Sequence, residues 1–264
     1  SVTAVSGLAR RFGVPPPFLL VVGGLAVSYV PGVPEVSLDP HLVLVLVLPP
    51  LLYAAALSTA YADFGDNLRP IGLLSVGLVL VTTFAVAGIA TLVVPALPIA
   101  AAIALGAIVA PPDAIAATAV ARRMALPRRV LVILEGESLL NDATALVSYR
   151  IAVSAAVVGG ATVGGALGDF AVAAIGGSAI GLLLGVVLAA LRRRLHDPLL
   201  ENAVSLLTPF AAFLPAEKAH ASGVLAVVVT GLYLGRRAPV LLSSGARLQG
   251  QALWAMVTFF LEGL

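Results

Sequence analysis

The chain has 264 residues, of which 60% are hydrophobic and only 11% are charged, and its mean hydropathy is +1.10. A soluble domain carries about a quarter charged residues, so this composition excludes an ordinary soluble globular protein, a disordered chain and a nucleic-acid-binding protein. The sequence contains no cysteine for disulfides or thiolate ligands, and its three dispersed histidines argue against a histidine-ligated metal. We therefore predict an all-α polytopic membrane protein embedded in a lipid bilayer.

Apolar segments recur along the chain, and most approach the roughly 20 residues that cross a bilayer as a helix. The predicted spans are 15–33, 41–61, 70–94, 98–121, 130–158, 170–191, 198–214 and 219–235, with a ninth that begins near residue 248. The connectors between them are short and contain proline, glycine or charge. Because the chain opens on a connector and closes inside an apolar segment, we expect it to be truncated at both ends.

The basic residues predict the orientation of the chain in the membrane. Thirteen of the fifteen Lys and Arg residues fall in alternate connectors: Arg10, Arg11, Arg69, Arg122, Arg123, Arg128, Arg129, Arg192, Arg193, Arg194, Arg236, Arg237 and Arg247. Cytoplasmic connectors carry the excess of Lys and Arg, so the Arg-rich side is predicted to be cytoplasmic. The alternation also supports the number of spans, because a missed helix would exchange the sides of all later connectors.

An acidic residue near the middle of the 130–158 span is the first candidate for function. Asp142 lies twelve residues beyond Val130, which is about 18 Å along a helix and near the membrane midplane. An acidic group there costs roughly 2.5–3.5 kcal/mol on insertion scales, so it requires either compensating partners or a function. We predict that Asp142 has a function, since intramembrane ionisable residues are functional by default.

The other polar residues of this span divide between two faces of the predicted helix. Spacings of three and four place Glu135, Ser138 and Asp142 on one face, and Glu137 and Asn141 on the opposite face. Asp142 and Ser138 are predicted to line an aqueous cavity, whereas Glu137 and Asn141 can hold a neighbouring helix. A structural ion pair and a functional role are equally open for Glu137, and Glu135 is either an entrance residue or a solvated side chain.

The 98–121 span is interrupted by Pro111 and Pro112, which Asp113 follows directly. Two prolines remove backbone donors and force the preceding residues out of helical geometry. Such breaks are tolerated only where they face protein or water, and many secondary transporters form ion sites at them. Asp113 can cap the second half-helix, with or without a role in an ion site. The prolines at 49–50 have no neighbouring acid and predict only a kink.

Glycines at four-residue intervals predict a close helix contact in the 170–191 span. Gly177, Gly181 and Gly185 fall on one face of a helix, where small residues allow a neighbouring backbone to approach. The segment lacks the Gly-x-x-x-x-Gly-Lys pattern of a phosphate-binding loop. We therefore predict helix packing there rather than a ligand site.

Three segments of the sequence resemble the monovalent cation:proton antiporters, the sodium/proton exchanger family, in its bacterial form. Residues 134–147, LEGESLLNDATALV, resemble the signature helix of the family. Residues 106–113, GAIVAPPD, resemble its unwound helix, and residues 48–53, LPPLLY, resemble its third helix. The resemblance implies a sodium/proton antiporter-like fold with inverted repeats and broken helices, in a homodimer whose scaffold domain holds a mobile core domain.

The resemblance also implies a division of the chain, which would be one incomplete transmembrane exchanger domain over 1–264. The expected units are scaffold and dimerisation helices at 15–61, a first core repeat at 70–158 with the broken helix 98–121 and the signature helix 130–158, a linking helix at 170–191, and further scaffold helices at 198–264. In this division the broken helix and the signature helix belong to the same core domain.

Roles for individual residues follow from the same resemblance. Asp142 would bind either the monovalent cation or the proton, and Ser138 would contribute an oxygen ligand to the cation. An asparagine at Asn141 goes with the electroneutral branch of the family. Glu137 would pair with an arginine beyond residue 264. Two positions depart from the family pattern, because Pro112 stands where a threonine is frequent and Ala54 where many members have an acid.

The sequence thus predicts a secondary active transporter in a bacterial plasma membrane. It would exchange Na⁺, with K⁺ or Li⁺ as alternatives, for H⁺, without a cofactor and without enzymatic activity. An intramembrane aspartyl protease is one alternative, but its Gly-x-Gly-Asp motif is only partly matched by residues 165–169, GALGD. A cation channel is the other alternative, and the sequence shows no repeated filter motif.

Overall fold

A computed structural model describes residues 16–29, 39–112, 121, 124, 126–158, 163–195 and 197–262. The described residues form helices and contain no strand. The helices are α1 (Pro16–Ser28), α2 (Pro40–Ser58), α3 (Tyr61–Asp66), α4 (Leu68–Val93), α5 (Ile99–Val109), α6 (Arg128–Val158), α7 (Val163–Arg192), α8 (Pro198–Lys218), α9 (Gly223–Leu241) and α10 (Ser244–Leu261). Within these ranges, α2, α4, α7, α8 and α9 are long and apolar enough to cross a bilayer. The predicted all-α, multi-pass membrane fold is confirmed.

The paired prolines of α2 produce a local irregularity rather than a break. Proline has no backbone N–H, so Pro49 and Pro50 each leave one helical carbonyl without its usual donor. The regular helix is interrupted at Val47, and it resumes when the N–H of Leu51 donates to the Val47 carbonyl at 3.3 Å. The predicted kink therefore lies within one membrane span, Pro40–Ser58.

α5 ends at the predicted break. The Ala110 N–H donates to the Gly106 carbonyl at 2.9 Å, and the helix does not continue into Pro111 and Pro112. α5 thus ends where the sequence predicts a broken helix, and the second half of that helix stays a prediction. Asp113 lies outside the described residues, so its capping and ion-binding roles stay predictions.

α4 and α5 cross at unusually short range. A Cβ atom added to Gly106 would overlap the backbone carbonyl oxygen of Thr83, and it would lie 2.9 Å from the carbonyl carbon. Only glycine permits this approach, because any side chain would displace one backbone or the other. The crossing fixes the end of α5, and with it the position at which the chain leaves the helix at Pro111.

The glycine face of α7 packs against α9, as predicted. Added Cβ atoms at Gly177 and Gly181 would overlap the carbonyl oxygens of Ser222 and Ala226, respectively. The Thr230 hydroxyl of α9 donates to the Gly181 carbonyl at 2.9 Å across the same contact. α9 also packs against α2 and α8, so it is the central helix of this part of the fold.

Two arginines of the predicted cytoplasmic side have partners in the short helix α3. Arg128, the first residue of α6, forms an ion pair with Asp63 at 2.6 Å. The guanidinium of Arg236, near the end of α9, lies 4.6 Å from the ring centroid of Tyr61. Cation–π and surface ion pairs of this kind contribute modestly to stability. Together, these two contacts hold α3 against the start of α6 and the end of α9.

An ion pair also joins α6 to the end of α8. The Arg150 Nη1 lies 2.6 Å from the Glu217 Oε2, and the Glu217 Oε1 accepts the backbone N–H of Gly223 at 3.0 Å. Glu217 therefore neutralises a charge within α6 and satisfies a free N–H at the start of α9. The sequence placed Glu217 in a connector, whereas it lies within α8.

Alanine substitutions separate the two roles of Glu217. We expect Glu217→Ala to lower the free energy of unfolding by about 1 kcal/mol more than Arg150→Ala, because only the first also removes the acceptor of the Gly223 N–H at the start of α9. Thermal melting in detergent of both single variants and the double variant measures the difference and the coupling of the pair. Equal effects of the two single variants would contradict the capping role.

Candidate functional site in a cavity beside α6

Two of the predicted site residues of α6, Ser138 and Asp142, line a cavity of about 880 Å³. Its walls come from α2, α6, α8, α10 and the end of α7, together with the two prolines after α5 and the residues next to these helices. Among the described helices, α6 is not packed extensively against α8 or α10, and the cavity separates them. Among the residues that the structure describes, five charged side chains line it: Asp142, Arg192, Glu201, Arg247 and Glu262.

Asp142 and Ser138 lie on the same wall of the cavity and are partly buried there. Pro111 and Pro112 line the same space, so the interruption of α5 and the acid of α6 meet at one site. Carbonyl groups next to a helix break lack helical donors, which leaves them available to a cation or water. Glu135, on the same helical face, is partly buried but does not line the cavity.

The opposite face of α6 is buried against the protein. Glu137 is 6% exposed and Asn141 is 1% exposed, and neither lines the cavity. The Asn141 Nδ2 donates to the Glu137 Oε1 at 3.1 Å, while the buried Asn141 Oδ1 has no hydrogen-bond partner. This hydrogen bond stabilises Glu137 inside the helix bundle. The pairing of Glu137 with an arginine after residue 264 stays a prediction.

Two buried charged residues of the cavity were missed by sequence reasoning. Arg192 was assigned to a solvated connector, but it is 2% exposed and its Nη2 donates to the Tyr53 hydroxyl at 3.3 Å. Glu201 is 6% exposed in the first turn of α8. The signal for Glu201 was its position inside the apolar 198–214 span. No local signal separates Arg192 from the two arginines that follow it.

The described charges of the cavity favour a single monovalent cation. Three carboxylates, Asp142, Glu201 and Glu262, and two guanidinium groups, Arg192 and Arg247, leave one negative charge if all are ionised. An unbalanced charge in a membrane interior is costly, and one bound cation or one proton would compensate it. Carboxylate and hydroxyl oxygens, as in Asp142 and Ser138, are suitable ligands for a hard cation.

Comparison with known proteins identifies the family of this chain. Residues 1–263 match the family described as "Sodium/hydrogen exchanger, transmembrane". The chain belongs to the sodium/hydrogen exchanger family. The match covers both the broken-helix prolines and the complete face of α6 that lines the cavity.

Curated relatives agree with this assignment. A protein of Mycobacterium tuberculosis, named as an uncharacterized Na⁺/H⁺ exchanger, is 42% identical over 97% of this chain and 47% of its own length. The sodium, potassium, lithium and rubidium/H⁺ antiporter of Bacillus subtilis is 33% identical over 100% of this chain and 41% of its own length. The chain therefore spans about half the length of the curated relatives it matches.

A solved structure confirms the fold. The sodium proton antiporter MjNhaP1 from Methanocaldococcus jannaschii matches with a TM-score of 0.74 at 20% sequence identity. The match covers 99% of this chain and 66% of the antiporter chain. At this identity the likeness establishes the fold, which is that of a sodium/proton antiporter.

Proposed function

We propose that this protein is a secondary active transporter that exchanges a monovalent cation, in the first place Na⁺, for H⁺. The observation that carries the proposal is the convergence of Asp142, Ser138 and the interrupted end of α5 on one cavity. The names of the relatives from Mycobacterium, Bacillus and Methanocaldococcus support cation:proton exchange. The Bacillus antiporter, whose name includes potassium and lithium, keeps these ions as alternatives.

Exchange follows from the position of one carboxylate. An ionised Asp142 without a partner is unfavourable in the membrane interior, so it holds either a cation or a proton. The two ligands exclude each other because they occupy the same carboxylate. If only the loaded site reorients between the two sides, one cation is exchanged for one proton. Ser138 provides a hydroxyl oxygen, and the carbonyl groups near Pro111 and Pro112 are further candidate ligands.

Asn141 supports a one-for-one, electroneutral exchange. The side chain next to Asp142 is an amide, so it adds no second titrating carboxylate to this segment of α6. Its contact with Glu137 at 3.1 Å directs it away from the transported ion and toward the structure of the bundle. We therefore assign Glu137 and Asn141 to the support of the site, and Asp142 and Ser138 to the cation itself.

The proposal also includes the orientation of the transporter in the membrane, its division into domains and its assembly. The Arg-rich connectors face the cytoplasm of a bacterial cell, in agreement with the positive-inside rule and with the bacterial relatives. α4, α5 and α6 belong to a core domain, and the helices from α8 onward to a scaffold that forms a homodimer. The relatives are exchangers and antiporters, so an intramembrane protease or a channel receives no support from them.

Proteoliposomes with the complete protein test the proposal. An inward Na⁺ gradient is expected to drive protons out of the vesicles, and reversal of the gradient is expected to reverse the proton flux. A pH-sensitive dye inside the vesicles measures the flux, and vesicles without protein provide the background. A proton flux that is independent of every monovalent cation tested would contradict the proposal.

A further inference from the structure

Glu201 is a buried acid on the cavity wall opposite the α6 residues, and neither the proposed exchange nor the helix packing uses it. It lies in the first turn of α8, is 6% exposed and lines the cavity that contains Asp142. Its Oε2 is buried and has no hydrogen-bond partner. α8 does not pack extensively against α6, so Glu201 and Asp142 contact the same space from different helices.

The neighbouring arginine does not neutralise Glu201 directly. Arg192 lines the same cavity and its Nε also lacks a partner, yet the described ion pairs do not include one between Arg192 and Glu201. Arg192 instead donates to the Tyr53 hydroxyl. A buried carboxylate without a partner is unfavourable, because it has lost water without gaining a hydrogen bond or an opposite charge.

The position of Glu201 on α8 places its carboxylate near the positive end of the helix dipole. The N-terminus of a helix carries a partial positive charge, and a carboxylate in the first turn is stabilised by it. The Asp197 side chain already accepts the Leu199 N–H at 2.9 Å, so Glu201 is not needed as the cap. Its carboxylate therefore remains free to attract a cation from the cavity.

We propose that Glu201 is a loading site, at which a monovalent cation from the Arg-rich side is first held before it moves to Asp142. The inference rests on the proposed exchange function and deepens it. Among the described cavity groups one negative charge remains when all are ionised, and one cation in transit between the two carboxylates would compensate it. A carboxylate on the path offsets the positive charges of Arg192 and Arg247 and thereby raises the rate at which a cation reaches Asp142.

The residues at this end of the cavity indicate the side from which the cation arrives. Arg192 ends α7, Glu201 begins α8, and Arg247 lies in the first turn of α10. All three lie near connectors of the predicted cytoplasmic side. Glu201 is therefore expected to affect cation uptake from the Arg-rich side more than cation uptake from the opposite side.

Transport kinetics of Glu201→Gln in the complete protein test the loading site. We expect the apparent KM for Na⁺ on the Arg-rich side to rise about tenfold, with the maximal rate within about twofold of the wild type, because saturating Na⁺ bypasses a loading step. Glu201→Asp, which keeps the charge, is expected to restore most of the affinity. Asp169→Asn, at an exposed position of α7 outside the cavity, is the matched control and is expected to leave both parameters unchanged.

The possible outcomes separate the loading site from a structural role and from failure of the exchange function. An unchanged KM in folded Glu201→Gln overturns the loading site, and so does a lower maximal rate that Glu201→Asp does not restore. If Glu201→Gln does not fold, Glu201→Ala decides, since loss of the carboxylate is expected to raise the KM on the Arg-rich side and a wild-type KM overturns the proposal. If Asp142→Asn still exchanges Na⁺ for H⁺, the assignment of Asp142 fails, and if the wild type shows no cation-dependent proton flux, the proposed function fails, whatever Glu201 does.

Discussion

Asp142→Asn is expected to abolish cation:proton exchange. The amide keeps the shape of the side chain but can neither bind a proton at neutral pH nor neutralise a cation. A cation left without its carboxylate in a membrane interior is destabilised by about 3–5 kcal/mol, which corresponds to a loss of roughly 100-fold or more in occupancy. Proton flux driven by a Na⁺ gradient in proteoliposomes measures the effect.

Ser138→Ala and a stability measurement complete the Asp142 experiment. Loss of one hydroxyl ligand costs about 1 kcal/mol, so Ser138→Ala is expected to weaken Na⁺ binding only severalfold. Asp142→Asn is expected to melt in detergent at or above the wild-type temperature, because it removes a partly buried charge. Exchange at the wild-type rate by a folded Asp142→Asn protein would falsify the assignment of the transport site.

Gly106→Ala is expected to cause the largest loss of stability from a single methyl group in the described structure. The added Cβ would overlap the Thr83 carbonyl oxygen, which belongs to a backbone that cannot rotate away. Overpacking of this kind costs about 1–3 kcal/mol. Thermal melting in detergent measures the loss, and the exchange rate is expected to fall as well, because Gly106 lies just over one turn before Pro111.

Gly88→Ala provides the matched control for Gly106. Gly88 lies in α4, and an added Cβ there meets no atom within 4 Å. Alanine is favoured over glycine in a helix by about 0.5–1 kcal/mol, so Gly88→Ala is expected to leave stability unchanged or to raise it slightly. If both variants melt at the same temperature, the close crossing of α4 and α5 is not a determinant of the fold.

Local features of the fold were predictable because they depend on helix geometry alone. The spacing of Ser138, Asn141 and Asp142 places them on their two faces of α6 regardless of the neighbours. The glycines of α7 likewise indicate close packing, since their four-residue interval aligns them in any helix. The interruption after α5 was predictable from the chemistry of Pro111 and Pro112.

Features that depend on which helices meet were not predictable from one sequence. Arg150 and Glu217 are 67 positions apart, and nothing in either segment identifies the other as its partner. Arg192 is followed by two further arginines, and only the packing of Tyr53 beside it distinguishes it as the buried one. The cavity wall formed by α8 and α10 depends in the same way on tertiary packing.

The charge balance of the cavity has a consequence for the energy source of transport. Its described groups carry one negative charge when ionised, so a cavity that holds one Na⁺ or one proton is neutral. Moving an uncompensated elementary charge through a membrane potential of 100 mV involves about 2.3 kcal/mol, whereas moving a neutral assembly involves none. For the proposed one-for-one exchange we therefore expect that the membrane potential neither drives nor opposes the loaded carrier, and that the Na⁺ and H⁺ concentration gradients set the direction.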